Sequence, residues 1–165
     1  MKLISLLEKL EYTCLQGSTD QEVKNVIYDS RKVEEGSLFI CIRGAVVDGH
    51  KFVPDVVAKG AKVLIVEEAV EATEDVTVIL VKDTRYAMAF ISAAYFGYPA
   101  EKLKTIGITG TKGKTTTTYM VKSILENAGY KVGLIGTIEA IIGDKVIPAK
   151  NTTPESYVCL LYTSP

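Results

Sequence analysis

Apolar and polar positions change period along this 165-residue chain, and the changes mark out its elements. Leu3, Leu6, Leu7 and Leu10 fall at i, i+3, i+4 and i+7, the stripe of a short amphipathic helix. Val23 to Tyr28 and Ser37 to Ile42 read as strands, with Arg31 to Gly36 a polar turn between them. Val53, Val56, Val57 and Ala61 predict a helix closing at Gly60, and Lys62 to Val66 follows as a strand of the fully buried kind. Val76 to Val81 is a second, nearly continuous β-branched run, as expected for strands covered on both faces. Asp83-Thr84 offers an N-cap to a helix whose stripe is Ala87, Phe90, Ile91, Ala94, Tyr95 and Tyr98, and Gly97-Tyr98-Pro99 stops it. Strands alternating with helices over the first hundred residues predict an α/β module.

A second module begins near Lys104. Thr105-Ile106-Gly107-Ile108-Thr109 reads as a short strand running into Gly110-Thr111-Lys112-Gly113-Lys114-Thr115-Thr116. Beyond it a helix carries Met120, Val121, Ile124, Leu125 and Ala128 on one side and ends at Gly129, a natural residue to follow a helix. Lys131 to Ile135 predicts the next strand, and Glu139 to Ile142 with Lys145 to Ile147 a hairpin turning on Gly143-Asp144. Strand, glycine loop, helix, strand is the opening βαβ of a nucleotide-binding sheet. Pro99 to Lys102 is the expected linker.

Composition narrows the classes. A net charge of −1 argues against a dedicated nucleic-acid binder, which would show a basic excess. Residues 1–100 carry 15 acidic and 11 basic side chains, whereas residues 101–165 carry 5 and 8, a modest positive tilt that suits an anionic ligand without naming one. The longest charge-free stretch, Tyr86 to Ala100, falls short of the ~20 apolar residues that a bilayer crossing needs. Glu8 and Lys9 interrupt the apolar start before it reaches the length of a secretory signal. Cys14, Cys41 and Cys159 are odd in number and far apart, so they suggest neither a disulfide framework nor a metal knuckle. The expected compartment is the cytoplasm, and the expected state a monomer with no membrane or nucleic-acid partner.

The glycine loop carries the chemistry. Phosphate recognition needs backbone N–H groups converging on one anion, no side chain in the way, and a helix N-terminus aimed at it. Gly110 and Gly113 permit that path, Lys114 supplies a point charge for the β- and γ-phosphates, and the Thr115 hydroxyl is placed to hold Mg²⁺. The full Walker pattern has a further glycine where this chain has Ile108, so the match is the shorter Gly-x-x-Gly-Lys-Thr form. The loop by itself does not choose ATP over GTP.

The same residues carry a resemblance. Gly107 to Thr117 resembles the ATP loop of the Mur ligases, which use the shortened form. Asp29-Ser30-Arg31, Gly36-Ser37-Leu38-Phe39 and Gly44-Ala45-Val46-Val47-Asp48-Gly49-His50 resemble the N-terminal UDP-binding domain of the branch that adds the third or later stem-peptide residue. Asn151-Thr152-Thr153-Pro154-Glu155-Ser156 is similar to the substrate segment of the tripeptide-synthetase branch. The likeness covers residues 1–157. It implies an α/β fold in which a UDP-substrate-binding domain, residues 1–102, precedes the first part of a P-loop ATP-binding domain, residues 103–165. It also implies ATP-dependent amide formation with Mg²⁺, joining a diamino acid (L-lysine or meso-diaminopimelate) to UDP-N-acetylmuramoyl-L-alanyl-D-glutamate. Gly110, Thr111, Lys112, Gly113, Lys114, Thr115 and Thr116 would bind nucleotide, with Lys114 catalytic and Thr115 on the metal. Ser30, Asn151, Thr152 and Thr153 would contact the substrate. Tyr28 and Asp29 would shape the Ser30 pocket, and the Ala45-Val46-Val47 loop would lie beside the uridine or pyrophosphate.

Other accounts of these residues stay open at this level. Asp29-Ser30 also reads as an Asx turn before Arg31, which is compatible with presenting a hydroxyl. Asn151 to Thr153 also reads as a polar connector with Pro154 in a first helical turn. His50 is expected to be structural and Arg85 a surface charge. A non-catalytic nucleotide or UDP-sugar module is the alternative function. Other P-loop proteins leave Asp29-Ser30-Arg31 unexplained, and the related folate-polyglutamate ligases lack the N-terminal UDP-type domain. The family carries a complete central domain and a third domain that selects the amino acid, so the chain reads as an N-terminal fragment inactive alone. Its first module should fold independently, while the second should leave an apolar sheet edge exposed. Residues 158–165 lack the amphipathic pattern expected after Pro154, which raises the question of whether that tail is native.

Overall fold

The computed structural model describes residues 1–44, 47–149 and 153–163, in two compact units, Met1–Tyr95 and Phe96–Pro165. The first unit is built from α1 (Leu3–Leu7), β1 (Thr13–Gln16), β2 (Asn25–Ile27), β3 (Ser37–Ile40), α2 (Val53–Ala58), β4 (Val63–Val66), β5 (Thr77–Leu80) and α3 (Thr84–Tyr95). Strands β2, β3, β4 and β5 lie side by side in chain order and all run parallel. Parallel neighbours need a crossover between them, and each crossover here leaves from one end of the sheet and returns to the other.

Burial on both faces explains the near-continuous apolar runs. Phe39, Cys41, Leu64, Val66 and Val78 form one layer with Val53 and Val56 of α2 and with Ala61. The two-residue alternation of a strand turns Leu38, Ile40, Val63, Ile65 and Ile79, also buried, to the opposite face. On α3 the buried residues are Thr84, Ala87, Met88, Ile91 and Ser92, so its core face is rotated toward Met88 from the stripe expected through Phe90 and Ala94. Helices α1 and α3 pack on one another, and α3 also meets β2 and β4. Asp83 caps α3 as its position suggests: Oδ1 accepts from the backbone N–H groups of Arg85 at 2.8 Å and Tyr86 at 2.9 Å.

Strand β1 was not evident in the sequence. It is short, mostly exposed and antiparallel to β5, with a register shift between Cys14 and Gln16. Tertiary contacts hold it. Gly17 turns at φ +82°, where a Cβ would stand 2.2 Å from Thr77 Oγ1. The Thr77 hydroxyl accepts from Ser18 N–H at 3.0 Å and donates to the Ser18 carbonyl at 3.2 Å.

The second unit holds α4 (Lys114–Asn127), β6 (Gly133–Ile135), β7 (Glu139–Ile142), β8 (Lys145–Pro148) and α5 (Ser156–Thr163). The hairpin turns at Gly143, φ +56°, as expected. Two expectations are corrected. Residues 105–109 form no strand, and β6 pairs antiparallel with β7 in a three-stranded meander rather than completing a parallel βαβ. A β segment exists only through a neighbour's hydrogen bonds, and no described strand lies beside 105–109. The tail is helical as α5 despite its weak pattern, and Tyr157 stacks at a tilt on Phe96 with ring centroids 5.3 Å apart. No residue of α4 is buried, and Ile124 is 67% exposed. Among the described residues no helix is long and apolar enough to cross a membrane.

Stability should therefore be concentrated in the first unit. Leu64→Ala should lower unfolding free energy by about 2–5 kcal/mol in urea denaturation followed by circular dichroism. Ile124→Ser should change it by no more than about 0.5 kcal/mol.

Candidate functional site

In parallel α/β sheets ligands gather at the carboxyl ends of the strands, because the crossovers leave there and helix N-termini point there. Here that edge comprises the segments following Ile27, Ile40, Val66 and Leu80. After β2, Asp29 caps a 3-10 turn at Ser30–Lys32 through an Asx bond, Oδ1 accepting from Arg31 N–H at 3.1 Å. The Arg31 guanidinium also clasps the same carboxylate, Nε to Oδ1 at 2.8 Å and Nη2 to Oδ2 at 2.7 Å. That clasp brings the Asp29 carboxyl down to about 2. Ser30 is half-buried. Its carbonyl accepts from Lys59 Nζ at 3.1 Å, while its hydroxyl has no partner among the described residues.

After β3 the chain makes a hairpin. Gly49 N–H donates to the Ile42 carbonyl and Gly44 N–H to the Val47 carbonyl, both at 2.9 Å, and Arg43 bridges antiparallel to Asp48. Ala45 and Val46 lie outside the described residues. His50 is buried at the base of this hairpin. Its Nδ1 meets Asp48 Oδ1 at 2.6 Å, and its Nε2 accepts from Glu67 N–H at 3.0 Å. Hydrogen bonds from His50, backbone and ring, hold the Asp48 carboxyl below its ordinary range. Glu67 Oε1 in turn accepts from both the N–H and the hydroxyl of Thr84 at 2.8 Å. Arg43 Nη2 reaches Glu68 Oε2 at 2.5 Å, and its Nε lies 3.4 Å from Asp48 and 3.6 Å from Glu67. Cys41, beside this network, is a core thiol. Burial pushes it up to about 12, so it stays protonated and is no nucleophile.

In the second unit the glycine loop lies at the start of α4. Gly110 and Gly113 hold φ of +154° and +77°, and Gly113 is the residue preceding the helix. The first helical bond of the turn runs from Thr117 N–H to the Gly113 carbonyl at 2.9 Å. The amides of Lys114, Thr115 and Thr116 precede it and belong to the first turn, which has no intrahelical acceptors. Lys114 Nζ folds back over the loop and donates to the Gly110 carbonyl at 2.6 Å. The four consecutive threonines divide by their hydroxyls. Thr117 and Thr118 donate back to the helix, to the Gly113 carbonyl at 2.9 Å and the Thr115 carbonyl at 2.7 Å. The hydroxyls of Thr115 and Thr116 have no partner among the described residues. Thr111 and Lys112 are exposed on the loop. Thr153 is exposed ahead of α5, while Asn151 and Thr152 lie outside the described residues.

Both units have matches among known proteins. A family model for the Mur ligase family, catalytic domain, matches residues 22–96, and one for the Mur ligase middle domain matches residues 108–163. The chain belongs to the Mur ligase family. It is 54% identical over 157 residues to the UDP-N-acetylmuramoyl-L-alanyl-D-glutamate–2,6-diaminopimelate ligase of Clostridium perfringens, covering 95% of this chain and 32% of that protein. A solved UDP-N-acetylmuramoylalanyl-D-glutamyl-2,6-diaminopimelate–D-alanyl-D-alanyl ligase from Acinetobacter baumannii is similar at 30% identity and TM-score 0.66, over 99% of this chain and 33% of that one. A solved UDP-N-acetylmuramoyl-L-alanyl-D-glutamate–2,6-diaminopimelate ligase superposes at TM-score 0.74 with 22% identity, over 99% of this chain and 33% of that one, a likeness of fold. The chain spans about a third of the length of the curated relatives it matches.

Within this Mur ligase chain, sequence reasoning missed Arg43 and Glu67 as partners of the Asp48-His50 pair, and Thr84 as the partner of Glu67. The available signal was an acidic residue, Glu67, directly after the buried strand β4, where a partly enclosed carboxylate needs donors. Asp48, His50 and Glu68 place ligand-type atoms within 4.8 Å of one another, but both imidazole nitrogens are occupied by protein partners.

The Asp29 clasp has a measurable signature. In the unfolded chain this carboxyl titrates near 3.8, and in the folded chain near 2. Its contribution to stability is therefore complete above about pH 4 and disappears as pH falls through about 2. A carbon-13 titration of the Asp29 carboxyl should show the depressed midpoint, and Arg31→Ala should return it toward the ordinary value. A wild-type midpoint near 4 contradicts the clasp.

Proposed function

We propose that this chain supplies the UDP-substrate unit and the ATP loop of an ATP-dependent amide-forming ligase of peptidoglycan precursor synthesis. In this reading residues 1–102 form the UDP-substrate domain and residues 103–165 the first part of the ATP-binding domain. The substrates are ATP, UDP-N-acetylmuramoyl-L-alanyl-D-glutamate and a diamino acid. The names of the curated relatives favour 2,6-diaminopimelate, although no residue singled out in this chain contacts the incoming amino acid. The reaction is cytoplasmic, and the chain acts as a monomer without nucleic acid or membrane. The observation that carries the reading is the turn from Gly110 to Thr116, where two positive-φ glycines, open first-turn amides and Lys114 converge at one helix end.

The substrate carboxylate attacks the γ-phosphorus of ATP, the bond to ADP breaks, and an acyl phosphate forms. The amine of the diamino acid then adds to the acyl carbon, and phosphate leaves as the amide is made. Phosphoryl transfer of this kind depends mainly on positioning and charge neutralisation. The first-turn amides of α4 hold phosphate oxygens, and the helix dipole favours their negative charge. Lys114 exchanges its bond to the Gly110 carbonyl for one to the transferring phosphate. The residues present fit Mg²⁺, since Thr115 keeps a hydroxyl unspent while its neighbours Thr117 and Thr118 do not. When bound there, the ion would neutralise phosphate charge. Ser30, with its free hydroxyl at the carboxyl edge, contacts the UDP-linked substrate, Tyr28 and Asp29 shape its surroundings, and Asn151, Thr152 and Thr153 reach the same substrate near the γ-phosphate.

Isothermal titration of the chain tests the two roles separately. Lys114→Ala should weaken ATP binding with Mg²⁺ by roughly 10- to 100-fold, the range of a charge-assisted contact, and leave UDP-N-acetylmuramoyl-dipeptide unaffected. Ser30→Ala should weaken the UDP-linked ligand several-fold and leave ATP unaffected. Unchanged ATP affinity in the lysine variant would overturn the loop assignment, and equal losses for both ligands in the serine variant would mean that Ser30 acts through folding.

A further inference from the structure

We infer that His50 is the positioning residue of the substrate edge, held as a neutral Nδ1–H imidazole that fixes the two hairpin arms, Ile42 to Gly44 and Val47 to Gly49. The inference deepens the proposed UDP-binding role of the first unit and rests on it. The Glu67 backbone amide can only donate, so the imidazole Nε2, 3.0 Å away, must carry a lone pair. The ring proton then sits on Nδ1, 2.6 Å from Asp48 Oδ1, an oxygen that also accepts the His50 backbone N–H at 3.0 Å. One side chain thus ties the hairpin's second arm, through Asp48, to the residue that follows β4.

The tie continues outward. Glu67 receives both donors of Thr84, so the same segment is fastened to the first turn of α3. Arg43, on the hairpin's first arm, faces Asp48, Glu67 and Glu68. Neither arm can shift without breaking a bond at the base. Gly49 reinforces the fit, because a Cβ there would stand 2.7 Å from Ile42 N and 2.9 Å from its carbonyl oxygen. With His50 nearly enclosed, no water replaces an imidazole nitrogen, and loss of the ring leaves Glu67 N–H and Asp48 short of partners. The flanks Gly44 and Val47 lie on the same carboxyl edge as Ser30, where a UDP-linked ligand would meet them. The positioning residue therefore acts at a distance from the ligand, through the hairpin.

Three measurements on the whole chain test this. Nitrogen-15 imidazole shifts of the ligand-free protein should show Nδ1 protonated and Nε2 bare. The opposite tautomer or an imidazolium at neutral pH overturns the inference without reference to any ligand. Titration with UDP should then show about tenfold weaker binding for His50→Leu, with ATP affinity unchanged. His50→Gln, whose amide oxygen and nitrogen are spaced like the two ring nitrogens, should restore UDP affinity to within about threefold. Wild-type affinity in His50→Leu, or a loss in His50→Gln as large as in His50→Leu, overturns the positioning role. Failure of the wild-type chain to bind UDP while the tautomer is as expected would instead remove the UDP reading, and with it the functional part of this role.

Discussion

Covering both faces of a parallel sheet is the constraint from which the rest of the first unit follows. Once β2 to β5 are buried above by one helical layer and below by another, each connection must leave the sheet at its carboxyl edge and return over a face. Four connections then end together in space although they are far apart in the chain. Their apolar residues are spent on the two layers, and what remains at the edge is polar: Ser30, Arg43, Asp48, His50, Glu67 and Thr84. Such groups are costly to enclose unless paired, and most of them are paired with one another. The hydroxyl of Ser30, which has no partner among the described residues, is the exception.

The second unit obeys a different balance. Its helix α4 has no buried residue, and its meander buries only Leu134 and Ala140 among the apolar side chains of its strands. Local hydrogen bonding carries more of its order. The glycine turn sets the start of α4, and the end of the helix is closed by Gly129 at φ +86°, with Gly129 N–H on the Glu126 carbonyl and Tyr130 N–H on the Leu125 carbonyl. A glycine turn of this kind needs little from the surrounding core, because its positive-φ glycines and the first turn of the helix come from one contiguous segment. The turn is thus formed in a unit whose packing is sparse.

The polar base of the hairpin fastens three connections of the first unit to one another. A neutral histidine with both nitrogens engaged is an economical crosslink, donating on one side and accepting on the other without burying a net charge. Around it, Arg43 lies among three carboxylates and offsets part of their charge at the rim while the imidazole stays enclosed. Under the proposed substrate role, rigidity at this edge would favour recognition, since a ligand held by loop atoms gains affinity when those atoms need no ordering.

Period and punctuation in the sequence were enough for much of the architecture. Leucines at helical spacing, two β-branched runs, Asp83 before α3, and glycines at 60, 110, 113, 129 and 143 each encode a local preference, and local preferences survive into the folded chain wherever a buried face agrees with them. The glycine turn ahead of α4 was legible for the same reason: its residues form one contiguous segment. Three things were decided only by tertiary contact. β1 exists because Thr77 and the Gly17 turn hold an otherwise weak strand against β5. Residues 105–109 carry strand-like residues yet pair with nothing described, because a strand is defined by its neighbour. The union of Arg43, His50, Glu67 and Thr84 was invisible because no spacing rule links residues that meet only when separate crossovers end on one edge of a sheet.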